Sequence, residues 1–458
     1  MLKRGLRWFV LWSARPPLLS VYRSAYWLVI WFATLVLRRY RSVLAIYLCR
    51  GCAKNQITPG ISDIDFAIFI TNNSTEKEAI QRTFQALDRA TRGVIEYYPN
   101  LVTTVESLAY RWRAAPAWQY RYLEGRTTWT LLHGTDVLAS LSPLTETQRR
   151  SSCYAEMNRW WLVFAKQLFN AREHKQNFIL QNVACYKAVS ELLNVSAELQ
   201  TGRRRNSRAE ALEDTDFPLA KRLAALAAHR FLTRDNQLMD ETFRFLVTFF
   251  LKLWDGFHER PFLHVYHGDP QGVAGLESEV QAGMKERQHV QALQRYLETF
   301  WGEKRLGTHL VKSAFWDFDD LLWIIDVDQN LLPTIREVTE LTALHHRTRQ
   351  ELTQNIFLFL RVDSVVFPIT PAIPRDLHRG LLTPATMPDV FLQLGSDKVY
   401  WTDYTQWYLA DWQSNQQWLD ASDHKKRQLS IIAKTVESGH VVYPLTLPAL
   451  EHAIRSLT

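Results

Sequence analysis

The first 110 residues alternate between short apolar runs and polar segments. The run "SVLAIYLCR", residues 42–50, is rich in β-forming residues and ends at Gly51, and "IDFAIFI", residues 64–70, is a second such run. The polar segment between them contains Pro59 and Gly60, which favour a turn. The pattern therefore predicts a strand, a loop and a second strand.

A helix and a third strand are predicted directly after these two strands. Residues 72–93, "NNSTEKEAIQRTFQALDRATRG", place apolar side chains at helical spacing and end at Gly93. The following stretch "NLVTTVESL", residues 100–108, has the composition and alternation of a strand.

An uncharged apolar run precedes the first predicted strand. "SAYWLVIWFATLVL" extends over 14 residues between Arg23 and Arg38, whereas a membrane-spanning helix needs roughly 20. We therefore expect residues 26–37 to form a helix packed on the sheet. A helix that contacts a membrane surface and a targeting segment are the alternatives.

Beyond about residue 151 the pattern becomes helical. Residues 182–202, "NVACYKAVSELLNVSAELQTG", place one apolar stripe on a helix that closes at Gly202, with Lys187, Glu191, Asn194 and Glu198 facing elsewhere. The basic cluster "GRRRNSR", residues 202–208, follows. It is typical of a solvated linker, and a contact with phosphate or with an acidic partner is the alternative.

Length and pattern together predict three regions in this 458-residue chain. Residues 20–145 are expected to form an α/β (α+β) core around a short mixed sheet. Residues 146–300 are expected to form a mainly helical domain. Residues 301–458 then form a mixed C-terminal extension with no legible function.

Basic charge is concentrated at the N-terminus. Residues 1–50 hold nine Lys or Arg and no acid, and the rest of the chain holds 45 basic against 47 acidic residues, a net charge of −2. A nucleic-acid-binding protein would spread basic charge over its folded body, so the distribution argues against that partner. It indicates peripheral contact of the N-terminus with an anionic membrane, or a targeting segment.

The cysteines indicate a reducing, cytoplasmic environment. Cys49, Cys52, Cys153 and Cys185 do not resemble a disulfide framework in a chain of this length. "CRGC" is formally a C-x-x-C pair, but no second close pair completes a zinc site. We interpret the spacing as coincidence.

Asp63 and Asp65 stand one residue apart at the head of the second predicted strand. Residues i and i+2 of a strand share a face, so the two carboxylates would lie side by side and oppose each other's ionisation. A cation between them would relieve that repulsion. Carboxylate pairs near a glycine turn hold Mg²⁺ in phosphoryl-transfer sites, often as a two-metal site.

This stretch resembles the signature of the DNA polymerase β-like nucleotidyltransferase superfamily. That signature is a strand, a Gly-Ser pair, a spacer and Asp-x-Asp. Gly51 and Cys52 stand at the Gly-Ser pair, and the spacer here is ten residues. "WTLLHGTDVL" is similar to the "LLYG-x-D" stretch of many bacterial members, and "YKAVSELLNVSAELQTG" to their helical domain. The resemblance covers roughly residues 20–210.

The resemblance implies an enzyme that transfers a nucleoside monophosphate from an NTP to an acceptor hydroxyl, with Mg²⁺ as cofactor. The implied nucleotide-binding residues are Gly51, Cys52 and Ser62. The implied catalytic and metal-binding residues are Asp63, Asp65 and a third acid. Glu106 is the choice for that acid because Val102, Thr104 and Glu106 would share a strand face, with Glu96 and Glu124 as alternatives.

Two departures keep a second function open. Cys52 replaces a serine whose hydroxyl contacts phosphate in the family, and a thiol is a weaker donor. The third acid is also not obvious. The alternative is a catalytically inactive member that binds a nucleotide or a protein. A template-independent RNA nucleotide-adding enzyme would need a basic groove, which residues 51–458 do not indicate.

Other candidate residues carry weaker signals. Asp326, Asp328, Asn330 and Glu337 match positions 1, 3, 5 and 12 of an EF-hand loop, but Leu331 stands where the turn needs Gly. The Asp326-Val-Asp328 pair could also serve a glycosyltransferase. His133 and His267 lack partners at a fixed spacing, which favours structural roles.

Overall fold

The structure, a computed structural model, describes residues 9–369. Short internal segments are excepted: 72–73, 92, 96–100, 115, 170–177, 206, 236, 256–283, 313–320, 350–351, 353–355 and 364. The described chain is mixed α/β and divides into two compact units, one up to Ser152 and one from Cys153 onwards. The Pro- and Gly-rich stretch 260–277, which contains His267, lies outside the described residues.

The first unit is built on a four-stranded mixed sheet in the order β3-β2-β1-β4. Its strands are β1 Val43–Cys49, β2 Asp65–Ile70, β3 Val102–Thr104 and β4 Thr130–Gly134. Strand β1 runs antiparallel to β2 and β4, whereas β2 and β3 are parallel. Every residue of β2 is buried, which explains why the central strands read as continuous apolar runs. The predicted strand, loop and strand are confirmed.

In the described part of the chain from residue 18 to residue 128, helices accompany this sheet. They are α1 Leu18–Leu37, α2 Arg50–Ala53, α3 Ser74–Ala90, α4 Val105–Ala114 and α5 Pro116–Thr128. Helix α3 confirms the predicted helix, and Gly93 just beyond it has the positive φ of +75° that favours glycine. Phe84 of α3 packs edge-on against Phe66 of β2, with ring centroids 5.8 Å apart.

Helix α1 packs on the sheet as predicted but is longer than predicted. Ile30, Ala33 and Leu37 are buried in the core with side chains of β1 and β2. The helix begins at Leu18, eight positions before residue 26, because Arg23 interrupts the apolar pattern without interrupting the backbone. Its other face is exposed.

The third predicted strand is much shorter than expected. It ends at Thr104, and α4 begins at Val105. The Thr104 hydroxyl accepts a hydrogen bond from Ser107 N at 3.1 Å, which caps the new helix. Glu106 therefore lies in the first turn of a helix with an exposed side chain, and the prediction that it shares a strand face with Val102 and Thr104 is wrong.

The second unit combines helices with a second sheet of order β5-β6-β7-β8. The helices are α6 Glu146–Leu168, which begins before the division, α7 Phe178–Thr201, α8 Arg208–Glu213, α9 Pro218–Ala228, α10 Leu238–Asp255 and α11 Met284–Phe300. The strands are β5 Arg305–Lys312, β6 Leu321–Val327, β7 Ile356–Val362 and β8 Val365–Pro368. Helix α12, Ile335–Thr348, connects the parallel strands β6 and β7.

Aromatic side chains join the helices and the second sheet. The Trp161 ring lies 4.6 Å from that of Phe367 on β8, and it also contacts Phe243 and Phe250 of α10. The predicted helical domain and the described part of the predicted extension consequently share one compact unit.

Helix α7 is buried on its polar side as well as its apolar side. Glu191 is buried and binds Arg208 at 2.8 Å and Arg204 at 3.4 Å. Asn194, also buried, accepts a hydrogen bond from the backbone N–H of Arg205 at 2.8 Å. The basic cluster is therefore not a solvated linker, because its acidic partner is the preceding helix of the same chain.

Candidate active site

The two aspartates lie where the second strand begins. Asp65 is the first residue of β2 and pairs in register with Cys49, the last residue of β1. Asp65 as a residue is 4 % exposed, whereas Asp63, just before the strand, is partly exposed. Ile64 between them forms a parallel bridge with Ile95. The sheet thus fixes the backbone on both sides of this segment.

The chain leaves β1 through a tight turn that carries Gly51 and Cys52. Arg50 opens the turn with a positive φ of +55°, an uncommon conformation for a residue with a side chain. The Cys52 thiol is buried and donates a hydrogen bond to the Asp63 carbonyl oxygen at 3.2 Å. The two halves of the sequence motif, Gly51–Cys52 and Asp63–Asp65, are therefore brought together.

The electrostatics of Cys52 show that both aspartates are near its thiol. Burial, followed by the negative charges of Asp65 and Asp63, raises the pKa of Cys52 to about 12. All four cysteines are buried and reduced, so the C-x-x-C spacing forms no disulfide.

The cation beside the aspartates is Arg50. Its guanidinium Nη1 lies 3.6 Å from Asp65 Oδ2, and the Arg50 side chain retains 35 % exposure. An opposite charge at this distance favours the ionised carboxylate. Arg50 belongs to the same turn as Gly51, so the motif supplies its own counter-charge.

More charged side chains surround the end of β1. Lys54 Nζ lies 3.4 Å from Glu124 Oε1, and both side chains are largely buried. Burial raises the pKa of Cys49 well above its usual value; Asp65 and Glu124 raise it further, whereas Arg121 and Arg50 lower it. The end of β1 is therefore enclosed by acids and bases together.

Two of the three candidates for the third carboxylate lie among the described residues. Glu106 is exposed on α4. Glu124, on α5, forms an ion pair with Lys54, and Glu96 lies outside the described residues. Within the part of the chain that the structure describes, no group of three or more His, Cys, Asp or Glu side chains could hold a metal ion. Neither Glu106 nor Glu124 completes such a group with the aspartates.

Ser62 stabilises the loop that leads to the aspartates. Its hydroxyl accepts a hydrogen bond from Thr58 N at 2.8 Å, and its backbone N–H donates to Thr58 O at 2.8 Å. The Ser62 carbonyl accepts a hydrogen bond from the Tyr26 hydroxyl of α1 at 2.7 Å. The contacts of Ser62 in the structure are structural, and its predicted role in nucleotide binding stays a prediction.

The Gly-Thr-Asp stretch at the end of β4 also has a structural role. Gly134 has a φ of +86° and lies against the backbone of β1. Asp136 Oδ1 accepts hydrogen bonds from the Tyr47 hydroxyl at 2.7 Å and from the N–H groups of Leu138 and Ala139 at 3.1 Å each. No sequence pattern indicated this pairing of Tyr47 with Asp136.

The rival acidic site is occupied by ion pairs. Arg361 binds Asp326 through two hydrogen bonds, of 2.6 and 2.7 Å. Glu337 caps α12 in a reciprocal arrangement with Thr334 and binds Lys304 at 2.5 Å. Asp326 and Glu337 are thus paired with basic side chains of the same chain, which argues against both the EF-hand and the glycosyltransferase interpretations. His133 lies within β4, paired with Ile46.

Comparisons with family models, with curated proteins and with solved structures found no match.

We expect Cys52→Ser to preserve both the fold and any nucleotide binding. A serine hydroxyl can donate to the Asp63 carbonyl as the thiol does, and the free energy of unfolding should change by about 1 kcal/mol or less. Cys52→Ala, the matched variant without a donor, should melt lower than Cys52→Ser in thermal denaturation. Loss of NTP binding in Cys52→Ser alone would reveal a specific role for the thiol.

Proposed function

We propose that this protein is a Mg²⁺-dependent nucleotidyltransferase that transfers a nucleoside monophosphate from an NTP to an acceptor hydroxyl and releases pyrophosphate. The supporting observation is the hydrogen bond from Cys52 to Asp63, next to the register pair of Cys49 and Asp65. Together they bring the Gly51 turn and the paired carboxylates to one end of a mixed sheet. That is the arrangement the sequence resemblance implies.

The residues present fit a magnesium ion by their chemistry. Asp63 and Asp65 offer hard carboxylate oxygens, and Mg²⁺ in nucleotide sites is commonly bound by one or two carboxylates together with substrate phosphates and water. A third protein ligand is therefore not required. When bound, Mg²⁺ would neutralise phosphate charge. Glu106 does not belong to the proposed ligand set.

The surrounding cations would bind the negatively charged triphosphate. Arg50 follows β1 directly, Lys54 follows the short helix α2, and Arg121 contributes positive charge near Cys49. Glu124 orients Lys54 through their ion pair. Because Arg50 is partly exposed and pairs with Asp65 at 3.6 Å, its guanidinium can turn toward a phosphate when a cation replaces it beside the carboxylate.

Proton transfer from the acceptor is assigned to Asp63. Asp63 is partly exposed, whereas Asp65 is buried and held by Arg50. A general base must reach the hydroxyl whose proton it removes. Asp63 is the more accessible carboxylate of the pair for that step.

A second candidate function is an inactive, nucleotide-binding or protein-binding module. The Arg50–Asp65 ion pair favours it, because the paired acids have a protein counter-charge without any metal. The burial of Cys52, where the family has a phosphate-contacting serine, favours it as well.

The two functions are separated by turnover. Full-length protein is incubated with each α-labelled NTP, with and without Mg²⁺, and with a panel of hydroxyl-bearing small molecules. Pyrophosphate release that depends on Mg²⁺, or transfer of the label, supports the enzyme. Saturable binding of a non-hydrolysable NTP without turnover supports the module. If no NTP binds in either condition, both nucleotide proposals are wrong.

A further inference from the structure

One face of α1 exposes large apolar side chains to solvent. Leu28 is 64 % exposed, Trp31 60 % and Phe32 51 %. Val21 and Trp27 are exposed on the same helix, and positions 21, 28, 31 and 32 share one side at helical spacing. Contiguous apolar surface of this kind usually marks a contact with another apolar partner.

The surface continues into the helical turn before α1. Phe9 and Trp12, in the helical segment 9–13, are exposed by 59 % and 61 %. The Arg15 guanidinium lies 6.0 Å from the centre of the Trp12 ring. We name the exposed apolar residues of segment 9–13 and α1 the N-terminal apolar surface. Its members are Phe9, Trp12, Leu18, Val21, Trp27, Leu28, Trp31 and Phe32.

Positive charge accompanies this surface. Residues 1–50 hold nine Lys or Arg and no Asp or Glu. Of these, Arg15 and Arg23 are exposed within or before α1, and Arg38, Arg39 and Arg41 are exposed just after it. Basic residues beside an apolar, Trp-rich helix face complement the negative potential of anionic lipids.

Helix α1 is long and apolar enough to cross a membrane, judged by its length and composition alone. Two kinds of contact with the rest of the protein argue against a spanning helix. Ile30, Ala33 and Leu37 are buried in the protein core, where lipid cannot replace their partners. The Tyr26 hydroxyl is bonded to the Ser62 carbonyl. One side of α1 is thereby fixed to the sheet.

We infer that the N-terminal apolar surface docks the protein on the surface of an anionic lipid bilayer. Leu28, Trp31 and Phe32 would enter the boundary between headgroups and acyl chains. Arg38 and Arg39 would contact lipid phosphates. Indole rings are favoured at this depth because one end is apolar and the N–H is wet. A protein partner would be expected to supply acidic side chains to match these bases. A second copy docking through the same surface would not supply them, because its residues 1–50 hold no Asp or Glu. The inference does not depend on the proposed enzymatic activity.

The test is sedimentation of full-length protein with vesicles. Vesicles of phosphatidylglycerol and phosphatidylcholine should bind the protein, and vesicles of phosphatidylcholine alone should bind it about tenfold more weakly. Leu28→Gln/Trp31→Gln should lower partitioning into the anionic vesicles by about tenfold or more. Arg38→Gln/Arg39→Gln should lower it about tenfold at low salt and have little effect at high salt.

Leu306→Gln is the matched control, because Leu306 is 69 % exposed on β5 of the second unit. This variant should bind vesicles as the wild type does. Equal binding of all variants, or none by the wild type, would contradict the inference. Bound protein that resists alkaline carbonate would show a spanning helix instead. Concentration-dependent self-association that Leu28→Gln/Trp31→Gln abolishes, without vesicle binding, would assign the surface to a second copy.

Discussion

Asp63→Asn and Asp65→Asn are each expected to remove nucleotidyl transfer almost completely. Either change takes one negative charge and one hard oxygen ligand from the pair that would hold Mg²⁺. The double variant should be little worse than either single variant, because residues that act as one unit are strongly non-additive. The measurement is label transfer or pyrophosphate release at saturating NTP and Mg²⁺.

The stability of Asp65→Asn separates a metal site from a structural ion pair. Asp65 is buried, but its partner Arg50 is partly exposed and can be solvated when the carboxylate is neutralised. We therefore expect a loss of only about 1 kcal/mol in metal-free buffer. The melting temperature of the wild type should rise with Mg²⁺ and NTP, and that of Asp65→Asn should not.

Glu78→Gln is the matched control for charge removal. Glu78 is exposed on α3, and its side chain forms an ion pair with Arg82. It should keep both activity and the ligand-dependent rise in melting temperature. The metal interpretation would be overturned by a much lower melting temperature for Asp65→Asn without metal, together with a wild type that gains nothing from Mg²⁺ and NTP.

Local patterns predicted the elements whose neighbours are close in sequence. Strands β1 and β2 are apolar on both faces, and Gly93 and Gly202 end α3 and α7 where their spacing indicated. The third strand is shorter than predicted because Thr104 caps a helix there. For a few residues the alternation of side chains in this stretch is the same as that of a strand. Only the hydrogen bond to the Thr104 hydroxyl distinguishes the helix start from a continued strand.

The polar side of α7 shows a second limit of sequence patterns. Glu191 and Asn194 read as solvent-facing because helical spacing alone assigns polar residues to the outside. In the fold they are buried, and the basic cluster at residues 202–208 provides their partners. The basic run next to a polar helix face was the sequence signal that these groups could pair. Which charges meet depends on how the chain folds back after Gly202.

The candidate site was predictable in its backbone and not in its counter-charges. Spacing placed Gly51 and Cys52 near the paired aspartates, and the structure brings them together. Arg50 and Lys54 were not singled out, although they flank the same turn and face acids. Glu124 comes from α5, far along the chain, so only tertiary structure reveals its pairing with Lys54.

Gly134→Ala is expected to destabilise the first unit by about 4 kcal/mol or more. A Cβ at this position would lie 1.8 Å from the carbonyl oxygen of Leu44 and 2.7 Å from its carbon, which are backbone atoms of β1 that cannot rotate away. The φ of +86° adds strain for any residue with a side chain. Strand β4 would have to separate from β1, and the Tyr47–Asp136 hydrogen bond would be disturbed with it. The measurement is denaturation by urea, followed by circular dichroism.

Gly202→Ala is the control that isolates the steric part of this effect. Gly202 has a comparable φ of +70°, but a Cβ there would meet nothing within 4 Å. Its substitution should therefore cost only the backbone strain, about 1 kcal/mol. The difference between the two variants reports the close approach of β4 to β1. Equal costs would mean that the two strands separate easily, and the contact of Gly134 with Leu44 would then not constrain the sheet that positions the aspartates.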